Sequence, residues 1–250
     1  MSSGTRWEKA AEAYATGEHK SGRELQLVVE FAAPKGTERV LDIGTGAGHT
    51  ALALAPRVSS VVLTDPVPAM LATARRLLAE AGIGNAEFVE AVAERLPFPD
   101  ASFDIVTTRL AAHHFDDVAR AFREVARVLR PGGPFIFVDT LAPEDSESGA
   151  YQDEVETLRD PTHKRIYTQR ELIAFAEEAG LRIAKLEVVR KTHDFEPWLE
   201  RGGEGAATQE RVRARFLDAP ASAMRDLEIA VTQGEVMSFT DHKLVLAARR

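Results

Sequence analysis

The chain has 250 residues, 44% of them hydrophobic, a net charge of −8 and no cysteine. That suits one domain with an elaboration, and it excludes disulfides, thiolate metal sites and a cysteine nucleophile. The acidic balance disfavours nucleic acid as substrate, because phosphate contacts dominate that affinity.

No apolar run reaches the roughly 18 residues of a membrane span. Met1–Trp7 is polar and lacks an apolar signal core, so a cytoplasmic setting is expected. A helical pattern covers about Trp7–Ala33, with Leu25, Val28, Val29 and Ala32 on one side, and Pro34-Lys35-Gly36 ends it. Arg39–Ile43 predicts a first strand. It runs into Gly44, Gly46 and Gly48, which let the backbone turn sharply and lie close to a ligand. A helix is expected over Ala47–Ala55, stopped by Pro56. Ser60–Thr64 predicts a second strand ending in Asp65, and Pro68 suits the first turn of a helix reaching Glu80. Ala86–Glu90, Phe103–Thr108 and Phe135–Asp139 read as further strands. Before the last of these, Asp116 or Asp117 caps a helix with the stripe Val118, Ala121, Phe122, Val125, Val128 and Leu129. Arg120, Arg123, Arg127 and Arg130 on that helix read as a solvated face. A helix at Gln169–Ala179 and strands at Arg182–Val189 and Met237–Ala247 complete the pattern.

This alternation predicts an α/β fold, a parallel sheet with helices on both faces. Two stretches fit no plain connection, Ala142–Tyr167 and Lys191–Val236. They read as lid or substrate-recognition insertions, with packing as the alternative. Trp198, Arg165 and Tyr167 fall in or beside them.

The glycine spacing is G-x-G-x-G, not the G-x-G-x-x-G of dinucleotide folds, and Asp42 sits inside the preceding strand. This D-x-G-x-G-x-G pattern resembles motif I of the class I S-adenosylmethionine (SAM)-dependent methyltransferases. Three later segments match in order: Met70-Leu71 after Asp65, Leu96-Pro97-Phe98 with Asp100 and Ser102-Phe103-Asp104, and Leu129-Arg130-Pro131-Gly132-Gly133. The branch most resembled holds the ubiquinone/menaquinone C-methyltransferases. The resemblance implies a Rossmann-like, doubly wound, mostly parallel seven-stranded sheet with the last strand antiparallel, plus helical lids. It implies a single domain over 1–250, with a helical cover at 1–33, a SAM-binding core at 34–141, and lids at 142–167 and 191–236. The implied activity is methyl transfer from SAM to a small-molecule acceptor, with no nucleic-acid partner.

Open parallel sheets bind ligands at the carboxyl ends of their strands, near the switch in strand order. The loop Gly44, Thr45, Gly46 and Gly48 passes that test, and its amides and helix N-terminus can meet the carboxylate of the methionine moiety. Asp42 orients the loop or accepts from the ammonium through water. Asp65 is placed to accept two ribose hydroxyls, or to cap the next helix before Pro66; the roles can coexist. Met70 packs on adenine or in the core. Relatives carry an adenine-binding Asp where this chain has Val92, so adenine recognition falls to the Ala93 amide and Glu94. Tyr14 and His19 resemble an A-Y-A…H segment that folds over the cofactor. After the fourth strand comes Arg109-Leu110-Ala111-Ala112-His113-His114, and His113 or His114 is a candidate base that titrates near working pH. A structural histidine is the plainer reading of either one. Asp116, Glu144 and Asp145 lie at strand ends, but no metal site is expected. A cofactor-binding protein without transferase activity stays open, and a nicotinamide dehydrogenase is disfavoured by the glycine spacing.

Overall fold

Parallel neighbours cannot be joined by tight hairpins and need crossovers, usually helical. The computed structural model, which describes residues 22–202 and 205–250, has helices in most of those places. Helix α1 is Arg23–Ala32; the remainder of the expected N-terminal helix, with Tyr14 and His19, lies outside the described residues. There follow β1 (Arg39–Ile43), α2 (His49–Leu54), β2 (Ser60–Asp65), α3 (Pro68–Glu80) and β3 (Ala86–Glu90). The next elements are β4 (Ile105–Arg109), α4 (Val118–Val128), β5 (Pro134–Leu141), α5 (Ser146–Arg159), α6 (Gln169–Glu178) and β6 (Arg182–Asp194). The chain closes with α7 (Phe195–Arg201), α8 (Ala206–Leu217), α9 (Ala221–Asp226), β7 (Ala230–Thr232) and β8 (Glu235–Arg249).

The sheet order is β3-β2-β1-β4-β5-β8-β6, with β7 paired to β8. Strands β1 to β5 pair in parallel, and β8 lies antiparallel between β5 and β6. The architecture is thus the expected Rossmann-like one, with an eighth strand added. That strand is the short β7, turned onto β8 through Gln233 and Gly234, both at positive φ (53° and 82°). Two-residue hairpin turns require that backbone.

Burial on both faces explains why β1 reads, after its first residue, as an apolar run broken only by Asp42. Leu41 and Ile43 join a core with α4, α6, Phe135 and Phe137, while Val40 joins a second core with α1, α2, Val61 and Leu63. Helix α4 starts at Asp117, whose carboxylate accepts from the Arg120 amide at 2.8 Å. Its arginine face is more than solvated charge. Arg127 forks onto the Leu96 and Phe98 carbonyls, Asp100 and Glu124, so it staples the L-P-F turn to the helix. Strand four starts later than expected, because Phe103 bridges Leu129 instead.

The largest departure lies in the insertions. Strand β6 continues to Asp194 rather than ending at Val189, and β8 begins at Glu235. Their extensions rise past the sheet on the side where the parallel strands end. Helices α5, α7, α8 and α9 pack on that ribbon around Phe216, with Tyr151, Phe195, Trp198, Leu227 and Phe239. This third core is separate from the two that flank the sheet. Phe216→Ala is expected to cost about 3–5 kcal/mol by opening a cavity there. A chemical-denaturation midpoint unchanged from wild type would show that the cluster adds no stability.

Candidate functional site

Two cavities meet at the carboxyl ends of β1 and β4, where the strand order reverses. Gly44, Gly46, Leu110 and His114 line both. The larger, about 530 Å³, extends over Asp65, Met70 and Ala91–Glu94; the smaller, about 160 Å³, extends toward the β6–β8 ribbon.

The glycine loop is fixed from below. Buried Asp42 accepts from Thr45 Oγ1 at 2.6 Å and Thr107 Oγ1 at 2.7 Å. Burial pushes the Asp42 pKa up to about 6, against the pull of those two hydroxyls and of Arg109. The two hydroxyl bonds tie Asp42 to the loop through Thr45 and to β4 through Thr107. The Thr45, Gly46 and Gly48 amides donate to Thr64 O, Asp65 Oδ2 and Thr45 O, so they hold the loop itself. The expected carboxylate cradle therefore cannot use those three amides.

Gly44 and Gly46 need glycine for different reasons. Both have positive φ, 62° and 53°. A Cβ on Gly44 would sit 2.6 Å from Ala111 Cβ, whereas one on Gly46 would meet nothing within 4 Å. Gly44 thus allows the β1 and β4 loops to touch, and Gly46 keeps open the space that a ligand would fill. Gly44→Ala is expected to cost about 1–3 kcal/mol through overpacking and strain. A thermal melt superimposable on wild type would remove that account.

Asp65 closes the loop from β2. Its Oδ2 accepts from the Gly46 amide and its Oδ1 from the Val67 amide, each at 2.9 Å. Burial raises its pKa, and these two amides oppose the rise. Pro66 and Met70 continue this wall, Met70 being almost wholly buried. Val92 is 42% exposed and presents an apolar surface, while Ala93 is buried beside it. Glu94 Oε1 accepts from the Asp116 and Asp117 amides at 2.8 and 3.1 Å, so it ties the entrance to α4 while lining the pocket.

Beyond β4, Arg109 is buried, with Nε donating to Thr50 Oγ1 at 3.1 Å and a guanidinium nitrogen 3.7 Å from Glu24. It lines the smaller cavity and also locks α1 and α2 beneath the loop. Leu110, where the two cavities join, holds φ at 54°, a strained value for a branched residue and one often found at functional sites. Nothing in the sequence marks it.

The histidine pair divides into two environments. His113 Nδ1 donates to Asp139 Oδ1 at 2.7 Å, and its amide donates to Asp139 Oδ2 at 3.2 Å. Burial works against its charged form, but the Asp139 carboxylate overcomes that and raises the His113 pKa. Its side chain stays 20% exposed. His114 donates from Nδ1 to the Thr162 carbonyl at 3.1 Å. Burial, then the charge of His113, push its pKa down to about 3, so it does not titrate near neutral pH as expected. A second network faces the pair across the smaller cavity. Lys243 Nζ donates to Thr140 Oγ1 and Asp241 Oδ2, and His193 Nε2 donates to the same Asp241 oxygen. Sequence reasoning missed it, although Asp241 and Lys243 stand two apart on one strand and so share a face.

Comparison with known proteins agrees with this geometry. A methyltransferase-domain family model matches residues 41–137. Over 241 residues the chain is 37% identical to the uncharacterized methyltransferase YcgJ of Bacillus subtilis, covering 96% of this chain and 95% of that one. The crystal structure of YcgJ superposes with a TM-score of 0.88, covering 91% of this chain and 97% of the other. A demethylmenaquinone methyltransferase of Thermus thermophilus is 40% identical over 123 residues, 48% of this chain and 56% of its own length. Kinship along nearly the whole of YcgJ, on a sheet whose glycine loop opens at the switch point, makes this chain a member of the class I SAM-dependent methyltransferases.

Proposed function

We propose that the chain binds SAM across the β1/β4 switch and transfers its methyl group to a small molecule held in the smaller cavity. The observation that carries this is Asp65. Each of its oxygens accepts one backbone N–H, and a carboxylate oxygen has room for two donors. The pair therefore keeps one acceptor site per oxygen for two adjacent ribose hydroxyls. Gly46 leaves the space in front of them open. Val92, Ala93 and Met70 give the adenine an apolar slot, and Leu110 and His114 mark the junction from which the methyl leaves.

SAM, when bound, supplies a methyl already activated by positive sulfur, which the acceptor's electron pair takes in line as the carbon–sulfur bond breaks. The protein's share is mainly positioning, which can be worth about 7–11 kcal/mol. His113 is the better placed base: Asp139 fixes the proton on Nδ1, leaving the lone pair on Nε2 to take a proton from an acceptor hydroxyl or amine. His114 keeps its environment neutral at the junction. In this reading residues 34–141 form the cofactor core, 142–167 and 191–236 the acceptor wall, and 1–33 the cover.

Calorimetric titration with SAM and then S-adenosylhomocysteine tests the proposal. Binding of both at micromolar concentration is expected. Binding of a nicotinamide nucleotide in place of both would overturn it.

A further inference from the structure

His163 is a second carboxylate-backed imidazole on the wall of the smaller cavity. It lies on the connection between α5 and α6. Its Nε2 donates to Asp153 Oδ1 at 2.9 Å, and its side chain is 3% exposed. His113 repeats the arrangement with Asp139. The two ring centres are 5.6 Å apart, with their planes inclined by 31°.

The backbone holds the two rings in register. The Lys164 and Arg165 amides donate to the His113 carbonyl at 2.8 and 3.3 Å, which fastens the connection to the loop after β4. Asp153 also accepts from the Ile166 amide at 2.7 Å, so α5 is tied to the connection without any imidazole. The bond from His163 to Asp153 is therefore not needed to close that turn. What it does is fix the proton on Nε2 and leave the lone pair on Nδ1.

The outer nitrogens, His113 Nε2 and His163 Nδ1, have no partner among the described residues, and neither is sealed from solvent. When His113 is neutral, both present lone pairs and not N–H groups. Two acceptors side by side call for two donors. One hydroxyl has a single proton and serves one ring. A hydroxyl is also the nucleophile that needs a base, whereas a neutral amine attacks through its own lone pair before it loses a proton. The cavity opens to solvent, so only the end of the acceptor that reaches the two rings is specified.

We propose that this end carries two hydroxyls on adjacent carbons, a vicinal diol. His113 Nε2 takes the proton of the reacting hydroxyl as its oxygen bonds to the methyl carbon and the carbon–sulfur bond breaks. His163 Nδ1 accepts a hydrogen bond from the neighbouring hydroxyl and takes no proton. His163 thus selects the acceptor that His113 activates. The inference rests on reading this cavity as the acceptor site.

Calorimetry in slightly alkaline buffer tests it, with S-adenosylhomocysteine-treated protein. Catechol is compared with phenol, and cis-cyclohexane-1,2-diol with cyclohexanol, so each pair differs by one hydroxyl. At least one diol is expected to bind about tenfold or more tighter than its partner, a 1.4 kcal/mol preference. Which diol does so tells whether the carbons are aromatic or aliphatic. His163→Leu should erase the preference and leave binding of the single alcohol unchanged. Equal binding within both pairs by the wild type, or no binding of either diol, overturns the proposal even if the variant fails to fold. A preference that survives in a folded His163→Leu protein overturns it too. Failure of S-adenosylhomocysteine to bind, measured separately, would sink the methyltransferase reading and leave the diol comparison standing.

Discussion

Asp65→Ala is expected to weaken SAM binding by about tenfold or more, at least 1.4 kcal/mol. Two losses combine. The ribose loses two hydrogen bonds to a charged acceptor, each worth about 1.5–3 kcal/mol. The Gly46 and Val67 amides also lose their acceptor, so the loop that should meet the cofactor is no longer preset. Asp65→Asn should fare little better, because its amide nitrogen must face one of those two N–H donors. Both variants should keep their fold, since Asp65 sits at the rim of β2 and not among the apolar residues of either core. Calorimetry with S-adenosylhomocysteine decides the matter. Unchanged affinity in a folded Asp65→Ala protein would reduce the residue to a cap for the turn into α3.

The parts of this molecule that were legible in sequence are those governed by local rules. A strand buried on both faces leaves a mostly apolar run, as Val40–Ile43 does around the single carboxylate Asp42. A tight loop that must approach another chain segment demands glycine, as Gly44 does against Ala111. Helix α4 announced itself through Asp117 and a regular stripe. What stayed hidden depends on distant partners. Asp139 reaches His113 across 26 positions, and only the side-by-side placement of β4 and β5 brings them together. That pairing sets His113 apart from His114, a distinction the sequence left open. The insertions were visible as insertions, but their aromatic residues have no period that separates a loose lid from a packed core. Phe195, Trp198 and Phe216 look alike in sequence whether they face a substrate or one another; all three pack together, and Trp198 also lines the smaller cavity. The solvated reading of Arg127 failed for the same reason: its partners Leu96, Phe98 and Asp100 belong to a turn 27 to 31 positions upstream.

His113→Asn is expected to lower kcat by about 10²–10⁴-fold, the usual worth of a positioned general base, while leaving SAM affinity unchanged. The pH profile carries the sharper test. The base must be neutral to accept a proton, and Asp139 raises the His113 pKa above that of an ordinary imidazole. Turnover should therefore rise with pH through that raised value and level off above it. Asp139→Asn removes the carboxylate that raises it, so the rise should shift to lower pH with a smaller plateau. His114→Ala should leave the inflection near where it was, because His114 releases its proton at about 3. Stability runs the opposite way. A histidine whose folded pKa is raised stabilises the protein fully below its unfolded pKa, and that contribution is lost as pH rises through the folded one. The same ionisation that switches on the base thus releases part of the grip between β4 and β5. If a folded His113→Asn protein binds SAM normally and turns over a hydroxyl acceptor with a wild-type rate and pH profile, His113 is not the base, and the dyad with Asp139 is a structural tie between two strand ends.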